Sequence, residues 1–257
     1  MKIIKSTIIF CFLLAVLFTE SFSSTQSFII LQGGSAASPC AADAFSSDWD
    51  IGSTTGDGWT SETDTAGILS VTGAGDTYPL ALHISHTSTS PAYLLKNMPS
   101  AKTTVAFEWY MLFDDVTAIS ASENVFDSLL LYDGPDTSIQ VRLTTVAGNL
   151  AAARIQYKDD SGSWVNRGTN FAFAANTWYR FRLYCVADTN AAFGAGNGKI
   201  QLQINDTYIV NENTVDNNAY GSIDSYKFGQ EESTLSTTAG LDIYYDDFRE
   251  RDDLCWD

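Results

Sequence analysis

The chain has 257 residues, of which 45% are hydrophobic and 13% aromatic, and it carries a net charge of −17. That is enough apolar material for one large core and does not require two domains. The excess of acid argues against nucleic acid or an anionic membrane as a general partner, and fits either solubility in a salty extracellular medium or the oxygen ligands that calcium takes.

At the start, Lys2 and Lys5 precede an apolar run from Ile8 to Phe18, and Ser21 and Ser23 flank Phe22. This is the order of a secretory signal peptide over residues 1–23, and the run is too short to span a bilayer comfortably. The expected location is therefore secreted, extracellular. Of the four cysteines, Cys11 leaves with the signal, and Cys40, Cys185 and Cys255 remain. Cys40 and Cys255 flank the domain, and domain termini often lie close together, so a Cys40–Cys255 disulfide is expected. It would close a loop of nearly the whole domain, for which chain entropy gives roughly 4–5 kcal/mol. Residues 24–42, rich in Ser, Ala and Gly, read as a loose leader, and the domain proper as 43–257.

From Asp43, polar and glycine-rich turns alternate with Phe45, Trp49 and Trp59, which read as aromatic anchors of a first edge strand and the loop after it. Short strands are expected at Ile68 to Val71, Pro79 to Ser85 and Tyr93 to Lys96, the last ending at a Met98-Pro99 turn. Thr103 to Phe113 alternates with period two, and both of its faces are substantially apolar, as in a central strand covered on both sides. Ser128 to Tyr132, Ile139 to Thr144 and Ala153 to Lys158 follow at the spacing of an antiparallel sandwich. A strand opened by Trp178 has Phe181, Leu183 and Cys185 on its core face, which makes Cys185 a buried, inert thiol. Lys199 to Ile204 pairs with the strand from Thr207 through a hairpin at Asn205-Asp206. Asn205-Asp206-Thr207 is also an N-glycosylation acceptor sequence. Tyr226 to Gly229 and the closing strand Leu241 to Arg249 complete an all-β pattern; no stretch of eleven or more residues holds a capped helical period.

The order of Asp43-Ala44-Phe45, Trp59, Phe107-Glu108-Trp109, Asn176-Thr177-Trp178-Tyr179, the strand from Lys199 to Asp206, Phe228-Gly229 and Tyr244-Tyr245-Asp246-Asp247-Phe248-Arg249 resembles the concanavalin A-like lectin/glucanase superfamily, in particular its laminin G-like modules. The resemblance covers almost the whole of 43–257. It implies a two-sheet antiparallel jelly-roll sandwich, in a superfamily that includes lectins, adhesion modules, glucanases and alginate lyases. By position within the closing Tyr-Asp-Asp-Phe-Arg, it also implies a structural calcium at Asp246, completed by Asp43.

Fold alone does not give activity. The laminarinase-like hydrolases of the superfamily carry Glu-x-Asp-x-x-Glu, whose closest counterpart, Glu62-Thr63-Asp64-Thr65-Ala66-Gly67, lacks the third acid. The alginate lyases carry Gln-x-His, and neither His83 nor His86 has Gln two positions before it. No catalytic residue is expected. The polar faces of the strands carry Glu108, Tyr110, Arg142, Arg154, Gln156, Arg180, Arg182, Tyr184, Gln201 and Gln203. Were these strands in one sheet, they would form a surface suited to sugar hydroxyls or to a carboxylate or sulfate. An ordinary solvated sheet face with cross-strand pairs would show the same alternation. The expectation is a non-catalytic carbohydrate-binding or adhesion module whose partner is an extracellular glycan or glycoprotein. The alternatives are a self-associating coat or filament subunit and a polysaccharide lyase or glucanase with a rearranged site.

Overall fold

Alternation of apolar and polar residues is the rule along this chain, and each alternating run becomes a strand. The structure is a computed structural model that describes residues 42–73, 75–76, 79–86, 90–116, 125–146, 149–192, 194–231 and 241–253, all within the unit Ala41–Asp257. The signal segment, the leader as far as residue 41 and both cysteines of the Cys40–Cys255 pair lie outside the described residues. The strands are β1 (Phe45–Ser47), β2 (Ser61–Asp64), β3 (Leu69–Thr72), β4 (Ala81–His86), β5 (Ala92–Lys102), β6 (Thr104–Phe113), β7 (Val125–Asp133) and β8 (Asp136–Val146). They continue with β9 (Asn149–Lys158), β10 (Trp164–Arg167), β11 (Trp178–Val186), β12 (Gly198–Ile204), β13 (Thr207–Val215), β14 (Ile223–Gln230) and β15 (Leu241–Arg251). Among the described residues, the one helical element is a single 3-10 turn, Asn218–Tyr220.

Two antiparallel sheets result. The first has the order β13-β12-β11-β6-β15-β4-β3, with β1 also paired to β15; the second has the order β10-β9-β8-β7-β14-β5-β2. Their inner faces merge into one apolar core, and ring contacts cross it. Phe228 of the second sheet stands 4.6 Å from Phe248 and 6.1 Å from Trp109 of the first, and Phe107 stands 5.0 Å from Tyr226. The early aromatics anchor here as expected. Trp49 and Trp59 are buried and stack on Phe228, with Phe45 edge-on to Trp59.

β11 shows the logic at its simplest, with strictly alternating burial. Tyr179, Phe181, Leu183 and Cys185 face the core, and burial pushes the Cys185 thiol well above its ordinary range. β6 is the central strand of its sheet, held between β11 and β15, and its residues from Val105 to Trp109 are all buried.

Three details depart from the sequence reading. β5 runs straight through Pro99 instead of turning there. Its register with β14 jumps between Asn97 and Lys102, so the proline lies in a bulge where its missing N–H breaks no ladder. Glu62 and Asp64, where the sequence reading expects no strand, form the edge strand β2 against β5. The closing strand carries a bulge at Asp247, whose φ is 49°. That extra residue shifts the phase, so that Phe248 and Glu250 face inward. Glu250 is buried and held by Lys102 at 2.6 Å and by the Tyr226 hydroxyl at 2.9 Å.

Candidate functional site: the outer face of the eight-stranded sheet

The structure divides the ten polar positions singled out from the sequence. Glu108 and Tyr110 on β6, Arg180, Arg182 and Tyr184 on β11, and Gln201 and Gln203 on β12 share the outer face of the first sheet. Arg142 on β8 and Arg154 and Gln156 on β9 belong to the second sheet, and so lie on the opposite side of the sandwich. There Arg142 donates to the buried Asp127 at 2.6 Å and to Gln156 at 2.6 Å, and Arg154 donates to Asn170 at 3.3 Å. The site is therefore built from β6, β11, β12 and β15.

Register sets the rows of this face. Arg182 lies opposite Glu108 and Gln203, Arg180 opposite Tyr110, and Tyr184 opposite Gln201. β15 adds Arg249 opposite Glu108, Asp246 opposite Tyr110 and Tyr244 opposite Leu112. A carboxylate in the middle of a sheet must be paired, and Glu108 accepts from Arg182 Nε at 2.5 Å. Arg182 also donates to Asp206 at 3.0 Å, and Arg180 reaches both oxygens of Asp206 at 2.6 Å.

Asp206 stands at the hairpin tip, where Asn205 and Asp206 take φ of 47° and 65°, the left-handed conformation of a two-residue β-turn. Asn205 is exposed, and its side-chain oxygen accepts from the Arg180 amide at 2.9 Å. The hairpin tip thus fixes both arginines from one side.

The Arg180 guanidinium lies beside the Tyr110 hydroxyl. Burial, and then the charge of Glu108, raise the Tyr110 pKa against the pull of Arg180. Burial likewise raises Tyr184, and burial with the charges of Asp242 and Asp114 raises Tyr244. All three phenols stay protonated at neutral pH and keep an O–H to donate. Gln201 is nearly buried and donates to Asn211 at 2.6 Å, leaving Gln203 as the more open amide.

A second group on the same face escaped the sequence reading. His83 on β4 lies opposite Tyr244 and stacks on its ring at 4.7 Å. One imidazole nitrogen lies 3.0 Å from Asp242 and the other 3.2 Å from the Ser70 hydroxyl. Tyr244 and Tyr110 are diagonal neighbours on adjacent strands, a separation of about 7–8 Å between their backbones. In sequence, His83 had only the missing Gln-x-His to recommend or exclude it; its partners come from β3 and β15.

The two residues expected to hold calcium, Asp43 and Asp246, lie beside and on the paired strands β1 and β15. Both oxygens of Asp246 accept backbone N–H groups, from Asp76 at 2.7 Å and Asp247 at 2.9 Å, and the residue is fully buried. Asp43 accepts from Arg251 at 2.6 Å, yet it lines a cavity of about 470 Å³ with Ser46, Ser47, Asp48, Asp57, Asp247, Phe248 and Arg249. The bulge puts Asp247, rather than Asp246, at that cavity. Burial and the Asp247 charge raise the pKa of nearby Asp76.

No known family model matches the chain, and no curated protein sequence matches it. Solved structures do. An endo-β-1,4-glucuronan lyase from the fungus Trichoderma reesei superposes with a TM-score of 0.61 at 11% identity, covering 82% of this chain and 96% of that one. The alginate lyase Aly36B gives 0.52 at 12% identity, covering 83% and 98%. The cellulose-induced protein Cip1 gives 0.53 at 11%, covering 81% and 97%. At such identity the likeness speaks for the fold alone. Together with the two antiparallel sheets and their shared core, it shows that this chain has the fold of a two-sheet antiparallel jelly-roll sandwich.

Proposed function

We propose that the chain is a secreted, non-catalytic carbohydrate-binding module that holds an extracellular glycan on the outer face of its eight-stranded sheet. One observation carries this reading: Arg180, Arg182, Tyr110, Tyr184 and Gln203 stand partly exposed in adjacent rows, with Glu108 holding Arg182 and Asp206 reaching both arginines. Arg182, held by the buried Glu108, meets a saccharide with little loss of entropy, Arg180 can exchange its exposed partner Asp206 for an anionic group of the ligand, and phenol rings offer both a flat apolar surface and a hydroxyl. Fold relatives that are named for acting on glucuronan and alginate point to the same broad class of partner. A glycan array probed with the wild-type chain and with R180A/R182A tests the reading. The double variant should lose the glycans that the wild type retains, and unchanged retention of every one of them would refute this face as the site.

His83 favours a second reading, a polysaccharide lyase. An imidazole flanked by Asp242 and Ser70 and stacked on a protonated tyrosine is suited to the proton transfers of β-elimination, and Arg180 lies on the same face to meet a uronate carboxylate. Polyglucuronate or alginate incubated with the wild type would then gain unsaturated ends, seen by ultraviolet absorbance, and H83A would not produce them. The structural calcium also stands as a proposal. The oxygen-rich cavity fits a hard cation, with Asp43 and Asp247 as carboxylate ligands beside Asp48 and Asp57.

A further inference from the structure

Away from that face, three connections meet at one end of the sandwich. The β9–β10 turn brings Asp160, the β11–β12 loop brings Asp188, and the segment after β13 brings Asp216. A carboxylate oxygen from each lies within 4.8 Å of the other two. Three like charges this close repel strongly unless something between them is positive, and no lysine or arginine among the described residues forms an ion pair with any of them.

The surrounding hydrogen bonds hold the carboxylates without satisfying them. Asp188 Oδ1 accepts from the amides of Asn190 at 2.8 Å and Asn197 at 3.1 Å. Asp216 Oδ2 accepts from the Gly194 amide at 2.7 Å, and Asp160 Oδ1 from the Ala219 amide at 2.8 Å. The other oxygens of the first two, Asp188 Oδ2 and Asp216 Oδ1, are buried and accept no hydrogen bond. Asp188 is only 2% exposed, so water does not compensate for the missing partner. A buried carboxylate oxygen left bare costs free energy that a bound cation would recover.

The backbone is tied around the same point. The Asp188 amide donates to the buried Asn217 side chain at 2.9 Å, Asn218 donates to the Asp188 carbonyl at 2.8 Å, and the Asp160 amide donates to the Asp216 carbonyl at 3.2 Å.

We infer that Asp160, Asp188 and Asp216 form a binding site for a hard divalent cation, calcium by its ligand set. Only oxygen is offered, with no imidazole or thiolate to favour a transition metal, and calcium completes six to eight oxygens with carbonyls or water. Asp160 comes from the second sheet, while Asp188 and Asp216 follow strands of the first, so the ion clips the two sheets together at this end. The site is separate from the Asp43 and Asp247 cavity and does not depend on glycan binding.

The test uses the full secreted chain, stripped with chelator and then dialysed against calcium chloride, with bound calcium counted by elemental analysis. D188N and D216N should each bind one calcium fewer per chain than the wild type, and the D188N/D216N double variant no fewer than either alone, since all three carboxylates serve one ion. At calcium a hundredfold above its dissociation constant, the wild-type Tm should rise by about 5–10 °C over the chelated protein, and D216N should lose that rise. Equal calcium content in wild type, D188N and D216N would overturn the site. So would a D216N protein that is more stable than wild type in chelator and calcium alike, because that marks relief of bare repulsion with no ion. Should D188N fail to fold, the wild type still decides: chelator should expose the 188–198 loop to limited proteolysis and calcium should protect it, and cleavage indifferent to calcium would refute the proposal.

Discussion

Replacing Asp206 with glycine separates the hairpin from the ionic network that hangs on it. Asp206 occupies a left-handed position, which costs a residue with a side chain about 1–2 kcal/mol, less for Asp, and nothing for glycine. Asn-Gly is moreover the preferred pair for this turn. Against that gain stands the loss of the contacts to Arg180 and Arg182. The Asp206 side chain is 65% exposed, so these contribute about 0.2–1 kcal/mol. The two terms nearly cancel, and Tm should move by less than about 4 °C. The effect on binding should be larger. Arg182 keeps Glu108 at 2.5 Å, but Arg180 loses its carboxylate and turns to the ligand. One new charge-assisted hydrogen bond is worth about 1.5–3 kcal/mol, or about 10- to 150-fold in affinity for a glycan bearing carboxylates. Titration calorimetry of D206G and wild type with a polyuronate measures this directly. Tightened binding at unchanged stability supports the arginines as ligand contacts. Equal or weaker binding by a fully folded D206G would refute the reasoning.

Phe228 is fully buried and touches Trp49, Trp59, Trp109, Tyr245 and Phe248, so F228A should cost about 3–5 kcal/mol in urea unfolding. A loss below about 1 kcal/mol would contradict the packing of the two sheets around it. In alkali, burial and then Glu231 hold the Tyr132 phenol up to about 12, and burial raises Tyr226 and Tyr245 further. Folded-state values above the unfolded one mean that their contribution is complete below about pH 10 and is lost as pH rises through the folded values. The urea midpoint should therefore fall from about pH 10 upward. Spectrophotometric titration should show a late-ionising class among the twelve tyrosines, and a single class at the ordinary value would contradict it.

How far the sequence could carry this account is clear from particular residues. Alternation placed Phe181, Leu183 and Cys185 inside and Arg180 and Arg182 outside, because a strand has only two faces and the core takes the apolar one. Alternation does not say which sheet a strand joins. Arg142 and Arg154 have the same signature as Arg180, yet β8 and β9 lie across the core from β11. Nor can a fixed period foresee a bulge: Asp247 breaks the phase of the closing strand, turning Glu250 inward and leaving Asp246 on backbone amides. The jelly-roll resemblance was legible because it rests on the order of many strands. Asp160, Asp188 and Asp216 stood in no motif, because they come from three connections that meet only after the sheets have packed.

The central claim is that the outer face of the eight-stranded sheet, and not the opposite face, meets a glycan. Affinity electrophoresis in gels cast with polyglucuronate, alginate or a neutral β-glucan tests it with matched arginine substitutions on the two sides. R180A should migrate faster than wild type in the gel that retards the wild-type chain, and R154A should be retarded as fully as wild type. Equal retardation of R180A and wild type, or release by R154A alone, would contradict the account.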